Sequence, residues 1–324
     1  MGNNTEMPVT IFVAVKNKRE IIEKCIDSLL GLDWPNKEII VIDNLSTDGS
    51  YEALLKYGDR INLHRLDGGL SKIFNRALDL AKNEYFICTD ADCVVDREWA
   101  AALLAPFVRE SGLAATAGFC GTPESANYLQ RAIGLELENR YKKFPKYIDR
   151  APTMNLCFKT ETARQVRFDE SFTYQAFEVD FCYRLAKYGK ILYVPGAIVR
   201  HYHRSNILAY VKQQRDQAKW GVKLLFKHGR KAAADQITTF GMSLQIVFLL
   251  SGLFFYLLSF LFRGSLYVSM IFMLLLIASY IKNIAEINPA WPYYPVFFAL
   301  FFIRTCSWAV GSVLGLFYLA KRGA

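Results

Sequence analysis

The chain has 324 residues, of which 52% are hydrophobic, and a formal net charge of +9. Its length allows one large domain or two of ordinary size. The seven cysteines are odd in number and contain no Cys-x-x-Cys pair, which argues against a disulfide framework and favours buried reduced thiols. No apolar run follows Met1, so we expect no cleaved signal peptide and a large domain that stays in the cytoplasm.

Short apolar runs and helical patterns alternate along the chain as far as about Arg204. They predict strands at residues 9–15, 38–42, 61–66, 85–89 and 114–119, and helices at residues 19–30, 48–57, 71–82 and 97–108. Alternation at this spacing predicts an α/β fold with a doubly wound, mostly parallel sheet that helices cover on both faces.

Acidic residues follow two of the predicted strands. Asp43 comes after the second strand, and Asp90-Ala91-Asp92 comes after the apolar run at residues 85–89. In a parallel sheet, ligands bind beyond the carboxyl ends of the strands. No Gly-x-Gly-x-x-Gly and no Walker Gly-Lys-Ser/Thr motif follows any predicted strand, which disfavours a dinucleotide-binding domain and a P-loop.

Asp90 and Asp92 are one residue apart where a strand stops. Two carboxylates so placed can share one hard divalent cation that leaves positions open for phosphate oxygens. The alternative is that this Asp-x-Asp turn only caps the helix predicted at residues 97–108, since aspartate is favoured at turns and N-caps.

A basic amphipathic helix is predicted at residues 206–231. Apolar side chains recur there at helical spacing, and seven lysines and arginines face one acid, Asp216. A helix of this kind is expected at an anionic lipid surface. The alternative is a solvated helix packed on the preceding domain. Nucleic acid is not the expected partner, because the neighbouring apolar segments already place this helix beside a membrane that can be the partner for its positive charge.

Three nearly uncharged segments follow, at residues 241–262, 265–281 and 293–320. Each is about long enough to span a bilayer. We therefore divide the chain into a domain at residues 1–204, an interfacial helix at 205–235 and a transmembrane region of about three spans at 236–324. Three full spans would place Lys321 outside, against the positive-inside bias.

Arg304 lies inside the last apolar segment, where contact with lipid would be costly. It could meet a lipid phosphate or face a protein interior. It could also lie at the interface if this third segment is tilted or re-entrant, which nearby prolines would favour.

Several segments between about Val9 and His203 resemble the inverting family 2 glycosyltransferases of the GT-A fold. The run from Val13 to Glu20 and the run Ile42-Asp-Asn-Leu-Ser-Thr-Asp-Gly-Ser50 resemble the two nucleotide-binding segments of that family. The resemblance assigns donor binding to Ala14, Val15, Asn17, Glu20, Asp43 and Asn44. Asn44 and Leu45 depart from the usual Asp and Gly of the second segment.

The resemblance also covers a glycine turn and the metal motif. Gly68-Gly-Leu-Ser-Lys-Ile-Phe-Asn-Arg-Ala77 looks like the family's turn into a helix, which implies that Lys72 and Arg76 neutralise a diphosphate. Asp90-Ala91-Asp92 matches the family's metal motif, with Ala91 at the donor, and implies Mg²⁺ or Mn²⁺. His201 is the third candidate metal ligand, and His203 is the second choice for that position.

The acceptor side is implied by two further segments. Asn155-Leu-Cys-Phe-Lys-Thr-Glu161 resembles the family's acceptor segment, and Phe177-Glu-Val-Asp-Phe-Cys-Tyr-Arg184 aligns with its Glu-Asp-x-Asp-Leu-x-x-Arg. That alignment makes Glu178 the general base and leaves Asp180 as the competing candidate. Phe177 replaces the family's first Glu. Each acid could instead merely favour the helix N-terminus.

The segment around Lys219 and Trp220 partly resembles a motif near the acceptor channel of processive members, but its residues do not have the spacing of that motif. We therefore predict a membrane-attached enzyme that moves a sugar from a nucleotide diphosphate sugar to a lipid-linked acceptor at the cytoplasmic face. The acceptor would be a polyprenyl phosphate or a lipid-linked saccharide. The alternatives are a processive polysaccharide synthase and an inactive transferase-like membrane interaction protein. The oligomeric state stays open.

Overall fold

The computed structural model describes residues 7–322, which form two compact units. The first contains the chain as far as Ser125 together with Tyr141–Tyr202, and the second contains Ala126–Arg140 and the chain from His203 onward. The predicted division of the chain into domains after residues 204 and 235 stays a prediction.

The first unit is built on a mixed nine-stranded sheet. Its strands are β1 (Val9–Val15), β2 (Lys37–Asp43), β3 (Asn62–Arg65), β4 (Tyr85–Asp90), β5 (Cys93–Val95), β6 (Leu113–Gly121), β7 (Tyr147–Ile148), β8 (Leu156–Lys159) and β9 (Lys190–His201). The order is β3-β2-β1-β4-β8-β6-β9-β5, and β7 pairs with β9.

Four neighbouring strands, β3, β2, β1 and β4, are parallel. The five predicted strands are confirmed, and the α/β class with them. The short strands β5, β7 and β8 were not predicted, and all of their pairings are antiparallel. These strands are only two to four residues long, too short to show a periodic pattern.

Six helices belong to the first unit. They are α1 (Ile22–Leu30), α2 (Ser50–Leu55), α3 (Leu70–Leu80), α4 (Trp99–Arg109), α6 (Thr160–Val166) and α7 (Phe177–Leu185). The four predicted helices are confirmed, and each is shorter than predicted. The first begins at Ile22, and Asn17, five residues earlier, has a positive φ of 53°. All seven cysteines are free, as expected for reduced thiols.

The second unit is helical. It contains α5 (Tyr128–Tyr141), α8 (Ile207–His228), α9 (Phe240–Leu258), α10 (Ser265–Ile287) and α11 (Tyr294–Arg322). The predicted amphipathic helix is α8, and the Asn206 side chain caps it by accepting a 2.9 Å hydrogen bond from the Ala209 N–H. No prediction covered α5, whose Ala132 and Ile133 pack against Leu300, far along the chain.

Three helices of the second unit are long and apolar enough to cross a membrane by length and composition. They are Phe240–Leu258, Ser265–Ile287 and Trp291–Lys321. Half of the last apolar window is buried inside the protein, against 22% for each of the other two. The third helix therefore has protein neighbours along much of its length.

The α8 and α11 helices pack closely through two glycines. A Cβ atom added at Gly311 would lie 2.2 Å from the Arg215 carbonyl oxygen, and one at Gly315 would lie 2.6 Å from the Lys219 carbonyl oxygen. The second contact lies four residues after the first on both helices, so α8 and α11 run in the same direction. Small residues at this spacing let helix backbones approach each other.

Candidate active site

Two strands on either side of β1, both parallel to it, bring acidic groups to one edge of the sheet. In the register of β1 with its neighbours, Val15 pairs with Asp43 of β2, and Ala14 pairs with Asp90 of β4. The carboxyl ends of β2 and β4 therefore flank the carboxyl end of β1. This is the edge where a doubly wound sheet binds its ligands.

Asp90, Asp92 and His201 meet beside this edge. One ligand atom from each lies within 4.8 Å of the others. His201 reaches the site because β9 pairs with β5, which places it opposite Cys93. Its Nε2 atom lies 3.3 Å from Asp92 Oδ1. The predicted metal ligands are thus brought together from parts of the chain more than a hundred residues apart.

The electrostatics of this cluster centre on Asp92, which is buried. Burial opposes ionisation of Asp92, but His201 and Lys18 outweigh it and hold the pKa of the carboxyl well below its usual range. Burial alone would lower the pKa of His201, whereas the neighbouring Asp92 carboxylate raises it to about 10.

The donor set fits a divalent metal. Two carboxylates and one imidazole can approach a common point, and side chains of these types are common ligands of divalent metals. Which of the two predicted ions binds, Mg²⁺ or Mn²⁺, stays a prediction.

Asp43 lies at the end of β2, on the other side of β1 from Asp90, and is fully buried. Its Oδ2 accepts hydrogen bonds from the Ser46 N–H at 3.0 Å and from Arg65 Nε at 3.2 Å. Its Oδ1 is buried and has no hydrogen-bond partner among residues 7–322. Because an unpaired buried acceptor is costly, this oxygen is suited to a ligand N–H or O–H group. The Arg65 guanidinium also lies over the Tyr51 ring, 4.4 Å from its centroid.

The predicted donor residues Asn17 and Asn44 use their side chains to hold loops. Asn17 Oδ1 accepts a 2.9 Å hydrogen bond from the Thr47 N–H. Asn44 Nδ2 donates a 2.9 Å hydrogen bond to the Gly68 carbonyl oxygen. Leu45, where the resembled family has Gly, has a positive φ of 49°, a conformation costly for leucine. Their direct contact with a donor stays a prediction.

Other predicted donor residues are exposed or lie at strand ends. Glu20 is exposed, and Lys72 and Arg76 project from the exposed side of α3. Lys72 Nζ donates to the Asp67 carbonyl oxygen at 3.2 Å. Ala91 is buried between the two metal-candidate aspartates. Lys72 and Arg76 are four residues apart, so they share one side of a helix and can act on one anion.

Glu178 lies in the first turn of α7. Its Oε2 atom is buried and has no hydrogen-bond partner within the described chain. Burial raises the pKa of Glu178 above its usual value, Arg150 opposes this, and Asp90 adds to it. Phe177 instead points into the core and packs on Phe74 with ring centroids 5.3 Å apart. Glu178 therefore interacts electrostatically with Asp90 and has a buried oxygen without a hydrogen-bond partner among the described residues.

Asp180, the competing base, is fully buried. The Arg184 guanidinium donates two hydrogen bonds to Asp180 Oδ2, from Nε at 2.9 Å and from Nη2 at 2.7 Å. Arg184 also donates to the Val166 carbonyl oxygen. Through Arg184, the Asp180 side chain therefore helps to hold α7 in place.

Asn155, predicted on the acceptor side, is buried and bonded within the protein. Its Oδ1 accepts from Trp99 Nε1 at 2.8 Å, and its Nδ2 donates to the Phe119 and Ala197 carbonyl oxygens, each at 2.9 Å. This pattern joins β6, β9 and α4. Its role toward an acceptor stays a prediction.

The remaining candidates belong to the second unit. Lys219 Nζ lies 5.8 Å from the centroid of the Trp220 ring, and Trp220 packs edge to face on Tyr318. His203 is buried, and its carbonyl oxygen accepts from Gln130 Nε2.

Arg304 is also buried in the second unit, where it pairs with Glu136 of α5 and donates to Gln245 Oε1 at 3.3 Å. Of the alternatives for Arg304, the structure supports a protein interior.

Two residues near the cluster were not predicted. Lys18 Nζ lies 2.5 Å from Asp92 Oδ2, and Arg150 interacts electrostatically with Glu178. Lys18 lies within a segment quoted for its resemblance to a nucleotide-binding segment, so its position was a usable signal. Arg150 lies in a segment with no recognisable motif.

Comparison with known proteins bears on the family. Residues 10–170 match the family described as Glycosyl transferase family 2. A stretch of 114 residues is 27% identical to a poly-beta-1,6-N-acetyl-D-glucosamine synthase of Staphylococcus epidermidis. That stretch is 34% of this chain and 28% of the relative, so the chain spans less than a third of the curated relatives that it matches.

Two solved structures are similar in fold. A mannosyltransferase from Pyrobaculum calidifontis, in complex with GDP-Man and Mn²⁺, matches 96% of this chain and 88% of its own, with a TM-score of 0.61 and 16% identity. Residues 1–349 of Staphylococcus aureus TarS, in complex with UDP-GlcNAc, match 98% of this chain and 92% of that one, with a TM-score of 0.50 and 15% identity. These likenesses confirm the predicted GT-A fold.

Proposed function

The chain carries a glycosyltransferase family 2 domain, and from that premise we propose that it moves a sugar from a nucleotide diphosphate sugar to a lipid-linked acceptor. The acceptor is a polyprenyl phosphate or a lipid-linked saccharide. The transfer inverts the anomeric carbon and takes place at the cytoplasmic face of the membrane.

The observation that carries this proposal is the meeting of Asp90, Asp92 and His201 at the same edge of the sheet as the unpaired oxygen of Asp43. A nucleotide diphosphate sugar has groups that suit both places. Its base or ribose can donate to Asp43, and its diphosphate needs positive charge nearby. The mannosyltransferase of similar fold was solved with both GDP-Man and Mn²⁺.

Asp90, Asp92 and His201 would hold the divalent metal. When bound, this metal would offset the negative charge that grows on the departing diphosphate. Lys72 and Arg76 supply further positive charge from α3.

Glu178 is the general base in this proposal. An acceptor hydroxyl must lose its proton as it attacks the anomeric carbon, and the free Glu178 Oε2 can take that proton. Burial and Asp90 raise the pKa of Glu178, which makes it a stronger base. Asp180 is already held by Arg184, so it is the weaker candidate.

The lipid-linked acceptor rests on the second unit. Its three long apolar helices and the basic helix α8 would keep the protein at a membrane surface, where a lipid-linked acceptor is concentrated. A soluble acceptor would give no reason for this attachment.

A processive polysaccharide synthase is the second candidate, because the matched relatives are named as polymer synthases. The two functions differ in product. A single transfer gives a lipid carrying one added sugar, whereas a processive enzyme releases chains of many sugars.

The test is to incubate membranes that contain the protein with labelled UDP-, GDP- and other nucleotide sugars and with polyprenyl phosphates. We expect one donor to label the lipid fraction with a single sugar, and chelation by EDTA to abolish the labelling. Long labelled polymers would support the processive candidate. Absence of both transfer and nucleotide-sugar binding would support an inactive interaction protein.

A further inference from the structure

Lys18 forms an ion pair with Asp92, one of the carboxylates proposed to bind the metal. Its Nζ atom lies 2.5 Å from Asp92 Oδ2, while His201 Nε2 lies 3.3 Å from Oδ1 of the same carboxylate. Asp92 is 7% exposed, so water does little to screen these charges. Both oxygens of Asp92 are therefore in contact with a positively charged or proton-donating group.

The backbone around Lys18 is fixed by several hydrogen bonds. Its N–H donates to Ser50 Oγ at 2.8 Å, and its carbonyl oxygen accepts from the Ile22 N–H at 2.8 Å. The preceding Asn17 N–H donates to Ser46 Oγ at 3.0 Å. A lysine side chain has a flexible four-carbon stem. Lys18 can therefore leave Asp92 by rotation of its side chain without movement of the loop.

A divalent cation and the Lys18 ammonium repel each other strongly at adjacent oxygens of one buried carboxylate. A metal that arrives alone must displace Lys18 and leave the ammonium without its partner. A metal that arrives with a diphosphate brings a new anion for that ammonium. The cost of displacing Lys18 is thus smaller when both ligands bind together.

We propose that Lys18 is a positioning residue that keeps Asp92 from binding a free cation and couples metal binding to donor binding. This inference rests on the proposed metal-dependent transfer. It extends that proposal by predicting that free metal binds weakly and that the nucleotide diphosphate strengthens metal binding through Lys18.

The test uses the full chain in detergent and measures Mn²⁺ binding by electron paramagnetic resonance at one pH. Mn²⁺ is titrated alone, and then with saturating UDP or GDP. The variant is Lys18→Met, which keeps the length of the stem and removes the charge. The matched control is Lys16→Met, since Lys16 is an exposed lysine two residues away on the same segment.

We expect Lys18→Met to bind free Mn²⁺ about tenfold more tightly than the wild type, because one neighbouring positive charge has been removed. The gain in Mn²⁺ affinity on adding nucleotide should be smaller in Lys18→Met than in the wild type. Lys16→Met should match the wild type in both titrations.

Equal or weaker Mn²⁺ affinity in Lys18→Met, with unchanged nucleotide coupling, would overturn the inference and leave Lys18 as a structural partner of Asp92. The proposed metal-dependent function would fail differently. In that case neither wild type nor Lys18→Met would bind Mn²⁺ with or without nucleotide, and both proposals would be rejected.

Discussion

Arg184 donates two hydrogen bonds to a single oxygen of Asp180, one helical turn earlier on α7. The neighbouring acid Glu178 has a buried oxygen with no partner in the described part of the chain. Asp180 is thus paired within the protein, whereas Glu178 keeps the unpaired oxygen that the proposed general base needs.

This difference predicts that substitution of Glu178 chiefly affects turnover and substitution of Asp180 chiefly affects stability. Glu178→Gln should lower turnover by about 10²–10⁴-fold while leaving nucleotide-sugar affinity nearly unchanged, since a base acts in the transition state. Asp180→Asn should chiefly lower the thermal unfolding temperature, because it weakens a buried ion pair. Single-turnover rates, donor dissociation constants and melting curves check both. If Asp180→Asn abolishes transfer while Glu178→Gln stays active, Asp180 is the base.

The pH dependence follows from the raised pKa of Glu178. A base must be deprotonated to act, so kcat/KM should fall as the pH drops through a value above the usual 4.5 of a glutamate. Arg150 lowers this pKa, so Arg150→Met should move the acidic limb to higher pH. The control is Glu178→Gln, whose residual activity should lack this limb. An unchanged limb in Arg150→Met would contradict the electrostatic effect of Arg150 on Glu178.

The metal proposal predicts the behaviour of Asp92→Asn. Loss of one carboxylate should abolish most Mn²⁺-dependent binding of the nucleotide sugar, while the sheet stays folded because Asp92 lies at a strand end. Donor binding is measured by calorimetry with Mn²⁺ and with EDTA, and folding by circular dichroism. Native transfer by Asp92→Asn in the presence of EDTA would remove the metal from the mechanism.

Glu136 is shared by two arginines of the second unit. It pairs with Arg304 and, at 2.5 Å, with Arg140. Removing one partner of a buried ion pair typically costs about 3–5 kcal/mol. Glu136→Gln should lower the melting temperature more than Arg304→Met, because it leaves two cations unpaired whereas Arg304→Met leaves Glu136 with Arg140. The double variant should recover part of the loss, and strictly additive losses would argue against the pairing.

The close contact of α8 with α11 predicts a strong response to one added methyl group. Gly311→Ala should destabilise the protein by about 1–3 kcal/mol through overpacking. The control is Gly221→Ala on α8, where an added Cβ meets nothing within 4 Å. That change should be neutral or stabilising, since alanine is the better helix former. Melting temperatures in detergent compare the two, and equal effects would contradict the close packing.

The parts of the site that the sequence predicted are local. Asp90 and Asp92 lie at the end of β4, which its own apolar pattern predicts, and Asp43 lies at the end of β2, which is predicted in the same way. Their meeting follows from the rule that carboxyl ends of parallel strands share one edge. The fold class was predictable for the same reason.

The unpredicted parts depend on long-range contacts. Lys18 and Asp92 are 74 residues apart, and Arg304 and Glu136 are 168 apart. Helix α5 was not predicted because its apolar residues follow only a weak helical pattern, and their packing against Leu300 of α11 appears only in the folded protein. The hydrogen bonds of Asn155 likewise appear only when β6 and β9 are paired.

The parallel packing of α8 on α11 also bears on how often the chain crosses the membrane. The α11 region at Trp291–Lys321 would be about 46 Å long at 1.5 Å per residue, longer than a hydrocarbon core of about 30 Å. Its second half lies beside α8, whose lysines and arginines would each cost about 2.5–3.5 kcal/mol at the bilayer centre. We therefore expect that half to lie at the surface with α8. The number of crossings is then even, and Lys321 stays on the same side as the basic helix, in agreement with the positive-inside rule.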